Sequence, residues 1–167
     1  MEISEADGLP TYRECLEDQL GDREIERAGI ISVVPEITEA VTGLLTDRGV
    51  TCEILDTETP SPVEMAYDTP ETLGIDRYAA AVAGWETYGR DTTGNRPVIV
   101  VDGGTAITHE VVDREGRYLG GMISPGPKLQ LRSLTNDTAQ LPKVPLEVPE
   151  HAIGRSTAQA MQAGLMY

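Results

Sequence analysis

The apolar positions of the chain fall into two rhythms. Between residues 11 and 20 (TYRECLEDQL), Tyr12, Cys15, Leu16 and Leu20 recur at helical spacing and stop at Gly21. Residues 28–34 (AGIISVV) form a continuous small-and-apolar run that predicts a buried strand. Pro35 then opens a helix with Ile37, Val41, Leu44 and Leu45 on one face, ending at Gly49. Residues 50–55 (VTCEIL) read as a second strand. A strand–helix–strand order predicts parallel pairing.

The second half changes rhythm. Residues 56–72 are rich in Thr, Pro, Ser and Glu and form a long connection, a kind of segment that is often functional. Residues 77–88 (RYAAAVAGWETY) predict an Ala-rich helix, and the polar loop 89–97 (GRDTTGNRP) marks a lobe boundary. Val98 to Val101 is wholly apolar, as expected of a central strand. Turns at Asp102-Gly103-Gly104 and Asp113-Arg114-Glu115-Gly116 separate it from strands at 105–112 and 117–124. A helix near 128–136 follows Pro125-Gly126-Pro127, and a last one covers 158–166. A three-stranded meander followed by a helix places the chain in the α/β class.

Composition narrows the partners. The 167 residues carry 28 acidic against 13 basic side chains, a formal charge of −15. Such a surface disfavours nucleic acid, whose phosphates need a basic footprint. It fits an ordinary acidic cytosolic protein, or one from a salt-rich cytoplasm where screening tames the repulsion. The core must rest on Ile, Leu, Val and Ala, because Phe is absent and Trp occurs once. Cys15 and Cys52 lack disulfide or zinc spacing. Residues 1–10 lack a signal peptide's basic start, and no apolar run reaches bilayer length, so a cytoplasmic location without membrane association is expected.

Four segments offer chemistry. Asp102-Gly103-Gly104-Thr105 can be a plain hairpin turn. Alternatively, its glycines let backbone N–H groups approach phosphate, and Asp102, unable to attract phosphate itself, holds a cation. Thr72 to Arg77 can be a simple helix start with a dipole-favoured acid. It can also place Asp76 as a general base beside Arg77 as an anion clamp. Gly120-Gly121 in a strand marks close approach of either a ligand or a crowded neighbouring backbone. Gly154-Arg155-Ser156-Thr157, taken alone, is an N-cap. His109 and His151 have no partner at ligand spacing.

In series, these segments resemble the type III pantothenate kinases. The resemblance runs through Ile31–Pro35, Tyr67–Pro70, Leu73–Arg77, Val100–Ala106, Gly120–Gly126, Thr138–Pro142 and Ile153–Thr157, in order and at matching spacing from about residue 28 onward. It implies the actin-like, acetate-kinase-like ATPase fold, with two ribonuclease-H-like lobes and ATP between them. Residues 1–94 would be the remainder of the first lobe with the pantothenate loop, and 95–167 the beginning of the second. The implied reaction is ATP-dependent phosphorylation of pantothenate to 4′-phosphopantothenate, the first step of coenzyme A biosynthesis. A monovalent cation, potassium or ammonium, would assist, with magnesium accompanying ATP.

By position, the resemblance makes Asp76 the catalytic base. Tyr67, Gly74, Ile75, Asp76, Arg77 and Thr157 become pantothenate contacts, Thr105 an ATP contact and Asp102 the cation ligand. It also implies a homodimer. The family's opening Asp-x-Gly-Asn-Thr phosphate turn has no counterpart here, and the closing strand and helix are absent, so the fold is expected to be incomplete at both ends and the chain a piece of a longer enzyme. Ile75 stands where the family usually has a small residue. The alternative is a non-catalytic regulatory or binding relative of the same fold.

Overall fold

The computed structural model describes residues 9–21 and 23–167. The acidic opening residues, Asp7-Gly8 among them, and the side chain of Tyr12 lie outside the described residues. Helix α1 (Leu9–Leu20) ends at Gly21, whose positive φ of 55° suits the turn.

Strands β1 (Arg27–Ile30) and β2 (Thr51–Ile54) pair in parallel, with Arg27 opposite Thr51 and Ile30 opposite Ile54. The parallel arrangement expected from the strand–helix–strand order is present. The strand is shorter than its apolar run, however. Pairing runs out at the Leu55 N–H bond to the Ile30 carbonyl (2.9 Å), and Ile31, Val33 and Val34 continue exposed. Helix α2 (Pro35–Asp47) begins with Pro at its first position, where a missing N–H costs nothing. It closes through Gly49, at φ 80°, and buries Leu45 beside Val50.

The connection from 56 to 72 contains a short strand β3 (Glu64–Met65) and a 3₁₀ turn at Pro70–Thr72. Helix α3 (Ile75–Gly84) continues as a π-turn through Gly89. Strands β4 (Val98–Gly103), β5 (Ala106–Val112) and β6 (Arg117–Pro125) form the expected antiparallel meander. β3 adds in parallel to β6, giving the order β3-β6-β5-β4. Helices α4 (Pro127–Asn136) and α5 (Thr157–Met166) follow and touch each other.

The main core unites Val63, Leu73, Tyr78, Ala81 and Trp85 with Val112 and Tyr118. Packing therefore continues across the polar loop at 90–97: α3 lies on β4 and β5. Gly84 permits this approach, because a Cβ there would stand 2.3 Å from Val100 Cγ2.

One expectation is corrected. Val98 to Val101 reads as a central strand, but β4 is the edge of its sheet among the described residues. Val98 and Val100 face α3, whereas Ile99 and Val101 are 66% and 58% exposed. A run apolar on both faces suits a strand covered on both sides. Here only one face is covered.

Candidate functional site

The site begins where the 3₁₀ turn hands over to α3. Buried Leu73 pins the entry, and Gly74 sits in extended conformation as the residue before the helix. The Gly74 carbonyl accepts the first helical bonds, from the N–H groups of Arg77 (3.1 Å) and Tyr78 (3.3 Å). Asp76 lies in the first turn, where the helix dipole favours an anion. Its Oδ1 accepts the Arg77 backbone N–H at 2.9 Å, and its side chain remains exposed. A Cβ on Gly74 would come within 2.5 Å of that oxygen and 3.9 Å of Val33 Cγ1. The bare glycine thus lets the Asp76 carboxylate lie over the turn, beside the segment that follows β1. Ile75 turns the other way and packs against the core.

Arg77 is the residue that ties this turn to the sheet. Its Nε donates to Glu110 Oε1 at 2.7 Å and its Nη2 to Oε2 at 2.8 Å, a bidentate fork. Glu110, at the centre of β5, is 1% exposed. Its Oε2 also accepts the Tyr118 hydroxyl.

Burial pushes the Glu110 carboxyl up, but the Arg77 and Tyr118 hydrogen bonds outweigh it and hold the group below the usual carboxylate range. The same fork raises Arg77 further above neutrality. Burial first, and then the Glu110 carboxylate, push the Tyr118 hydroxyl up. The Tyr118 ring stacks obliquely on Tyr67 (centroids 5.8 Å, 51°) and edge-on to Tyr78 (5.7 Å, 81°). Tyr78 in turn donates its hydroxyl to the Val63 carbonyl.

The paired glycines of β6 find their reason here. Gly120 has a φ of 104°, and a Cβ on it would meet the Tyr67 ring at 3.0 Å. A Cβ on Gly121 would stand 1.7 Å from the His109 carbonyl oxygen and 2.9 Å from Glu110 Oε2. Of the two meanings open for this pair, the crowded meander is the one the fold displays.

Asp102 and Thr105 occupy the β4–β5 turn. Asp102 pairs with Thr108, two residues before Glu110. It therefore shares a sheet face with the Arg77–Glu110 pair, at a diagonal backbone spacing of about 7–8 Å. Its carboxylate is exposed rather than at the mouth of a buried strand, because β4 is an edge. The turn is held by its backbone: Gly104 N–H bonds to the Ala106 carbonyl and Gly126 N–H to the Thr105 carbonyl, each at 2.8 Å. Gly126 lies so close that a Cβ would stand 2.2 Å from the Gly104 oxygen. This contact seats the exposed Thr105 against the start of α4. Among the described residues, no three of His, Cys, Asp and Glu gather as a metal-holding set.

Thr157 is exposed and opens α5, and the N-cap reading of its segment matches the geometry. Ser156 Oγ accepts the Gln159 N–H at 3.2 Å, and Gln159 Oε1 accepts the Arg155 N–H at 2.9 Å. Gly154 is forced by backbone crowding, since a Cβ would lie 2.2 Å from the Ala160 nitrogen. Among the described residues no hydrogen bond joins Thr157 to the Gly74–Arg77 turn. The fold thus brings Tyr67, Gly74, Asp76 and Arg77 to one face with Asp102, while Thr157 stands apart from that network.

A family model for type III pantothenate kinase matches residues 3–167. The chain belongs to the type III pantothenate kinase family. Similar curated relatives include a type III pantothenate kinase 1 from Symbiobacterium thermophilum, 41% identical over 145 residues, which cover 86% of this chain and 53% of the relative. A type III pantothenate kinase from Agathobacter rectalis is 35% identical over 151 residues, covering 90% and 56%. The chain thus spans about half the length of the curated relatives it matches. Among solved structures, a Campylobacter jejuni protein ascribed to the Baf family of transcriptional activators aligns with a TM-score of 0.53 and 23% identity. That alignment covers 89% of this chain and 62% of that one, and speaks to the fold alone.

Sequence reasoning missed Glu110 and Tyr118. One signal was available: Glu110 lies at an inward-facing position of a strand, opposite an Ala-rich helix that begins with Arg77. A buried carboxylate at such a position requires a cationic partner.

Proposed function

We propose that the chain carries the substrate turn and the second phosphate turn of an enzyme that transfers the γ-phosphoryl group of ATP to pantothenate. The product is 4′-phosphopantothenate, the first intermediate of coenzyme A biosynthesis. One observation carries the reading. The Asp76–Arg77 turn and the Asp102–Thr105 turn, far apart in sequence, lie on one face of the sheet: Arg77 grips Glu110, and Asp102 pairs with Thr108 two residues away. Family membership supports the same reaction.

In this mechanism Arg77 meets the pantothenate carboxylate with the N–H groups left over from Glu110, and Tyr67 shapes the wall beside it. Asp76 accepts the proton of the pantothenate hydroxyl. The freed oxygen bonds to the γ-phosphorus as the bond from that phosphorus to the β–γ bridging oxygen breaks, and ADP leaves. Phosphoryl transfer asks mainly for alignment and charge neutralisation. Thr105 would contact ATP. Asp102 would hold potassium or ammonium, which supplies positive charge beside the phosphates, with magnesium arriving on ATP. Two ribonuclease-H-like lobes (1–94 and 95–167), a homodimer and a cytoplasmic setting complete the proposal.

The test supplies ATP, magnesium, potassium and pantothenate to a version of the chain that carries an N-terminal Asp-x-Gly-Asn-Thr turn and follows phosphopantothenate. Asp76→Asn should lower turnover about 10²–10⁴-fold. Undiminished turnover in Asp76→Asn would sink the base assignment. Pantothenate binding without turnover in that version would favour the non-catalytic relative.

A further inference from the structure

The Arg77–Glu110 pair is larger in its demands than a structural contact requires. The sheet face that meets α3 is otherwise built from apolar and aromatic side chains, Val98, Val112 and Tyr118 against Tyr78, Ala81 and Trp85. Apolar residues of similar volume often replace a buried ion pair with no loss of stability. Yet here two other positions are adapted to the pair. Tyr118 donates its hydroxyl to the carboxylate, and Gly121 leaves space within 2.9 Å of Glu110 Oε2. The cation so held is the residue next to Asp76, whose carboxylate accepts the Arg77 backbone N–H.

We propose that Glu110 is a positioning residue: by gripping the Nε–Nη2 edge of Arg77, it turns the remaining N–H groups outward to receive a carboxylate and fixes the Gly74–Arg77 turn that carries Asp76. The consequence for recognition is specific. Because Glu110 already compensates the charge of Arg77, the site offers a substrate anion a rigid set of directed donors rather than an uncompensated cation. A planar guanidinium held along one edge cannot swing to follow a misplaced anion. Glu110 therefore acts on substrate affinity and geometry without touching the substrate. This rests on the reading that Arg77 meets pantothenate.

The test uses the whole chain, with two readouts. The first needs no ligand: the Arg77 Nε–Hε resonance in a ¹⁵N-edited spectrum. The unsubstituted chain should show it as a single resonance whose hydrogen exchanges at least tenfold more slowly than the Nε–Hε groups of exposed Arg27 and Arg96. Glu110→Gln should abolish that protection. The second readout is pantothenate affinity by titration. Glu110→Gln should weaken it about tenfold, the size expected for a lost bond to a charged group. Glu110→Asp should recover part of the loss, and Tyr118→Phe, which spares the fork, should cost under about threefold. Leu131→Ala, remote from the pair, serves as an equally destabilised control whose affinity should not change.

Arg77 protection that survives Glu110→Gln overturns the proposal, as does lost protection with unchanged affinity. An affinity loss in Leu131→Ala equal to that in Glu110→Gln also overturns it. If Glu110→Gln does not fold, rapid Arg77 exchange in the unsubstituted chain, or an affinity loss above tenfold in Tyr118→Phe, would sink the idea. A chain that shows the protected, Glu110-dependent Arg77 signal but binds no pantothenate leaves the clamp standing and removes the substrate reading instead.

Discussion

The two acidic turns of this molecule are held in opposite ways. The Asp76 turn is anchored from below: its neighbour Arg77 plunges into the core and is gripped by a carboxylate that is itself held by Tyr118. Among the described residues the Asp102 turn is anchored through its backbone, by the Gly126 N–H and the close approach of Gly126 to Gly104. Asp102 itself is exposed. The difference matches the tasks proposed for them. A base must stand at fixed distance and angle from a hydroxyl, so positional precision is worth a buried ion pair. A turn that presents Thr105 to the nucleotide needs the right peptide geometry, which these backbone bonds supply.

The largest effect should come from breaking the anchored side. Glu110→Ala strands a buried guanidinium and should cost about 3–5 kcal/mol in urea unfolding. The double variant Arg77→Met with Glu110→Leu should recover most of that stability while losing pantothenate binding. Recovery of both would make the pair merely structural.

On the other side, Gly126→Ala drives a methyl group into the Gly104 carbonyl and should cost about 1–3 kcal/mol by thermal unfolding. It should also disturb nucleotide binding more than pantothenate binding. Equal loss of both would erase the distinction between the turns.

Acid should sharpen the contrast further. The Glu110 carboxyl lies below its usual range in the folded state. Its stabilisation is therefore fully present above the ordinary carboxylate value of about 4.3 and is lost as pH falls through the lowered folded value. Glu110→Gln should flatten the acid limb of a stability-versus-pH curve in that window. An unchanged acid limb would show that the pair contributes nothing to it.

The smallest effect belongs to Asp102→Asn. An exposed side chain on an edge strand should change stability by no more than about 0.5 kcal/mol. If Asp102 holds a monovalent ion, the same variant should lose the potassium dependence of turnover. A large loss of stability would mean that the turn is anchored through its side chain after all.

Much of this was legible in the chain. An apolar run and the turns at Asp102-Gly103-Gly104 and Asp113-Arg114-Glu115-Gly116 located the meander, because such turn residues reverse the chain between paired strands. Pro35 and Gly49 bounded α2 through φ preferences that act residue by residue. Local rules failed at β4. Its wholly apolar run resembles a strand with neighbours on both sides, but whether a strand has two neighbours depends on what pairs with it, not on its own residues. They failed also at Gly120-Gly121, where one signal had two meanings. Only the positions of Tyr67 and His109 decided between them.

The site divides along the same line. The sequence by itself determined the family, the order of the motifs and the two candidate carboxylates, Asp76 and Asp102, since spacing and residue type survive without coordinates. It did not name the partner of Glu110, which stands 33 residues from the arginine it holds and belongs to no motif. The tertiary structure alone decided that Arg77 points inward to a buried partner and that both acidic turns share one sheet face. The physical reason is register. A cross-strand pairing sets which side chains meet, and a slip of one residue would send Glu110 to the opposite face and leave Arg77 without its partner.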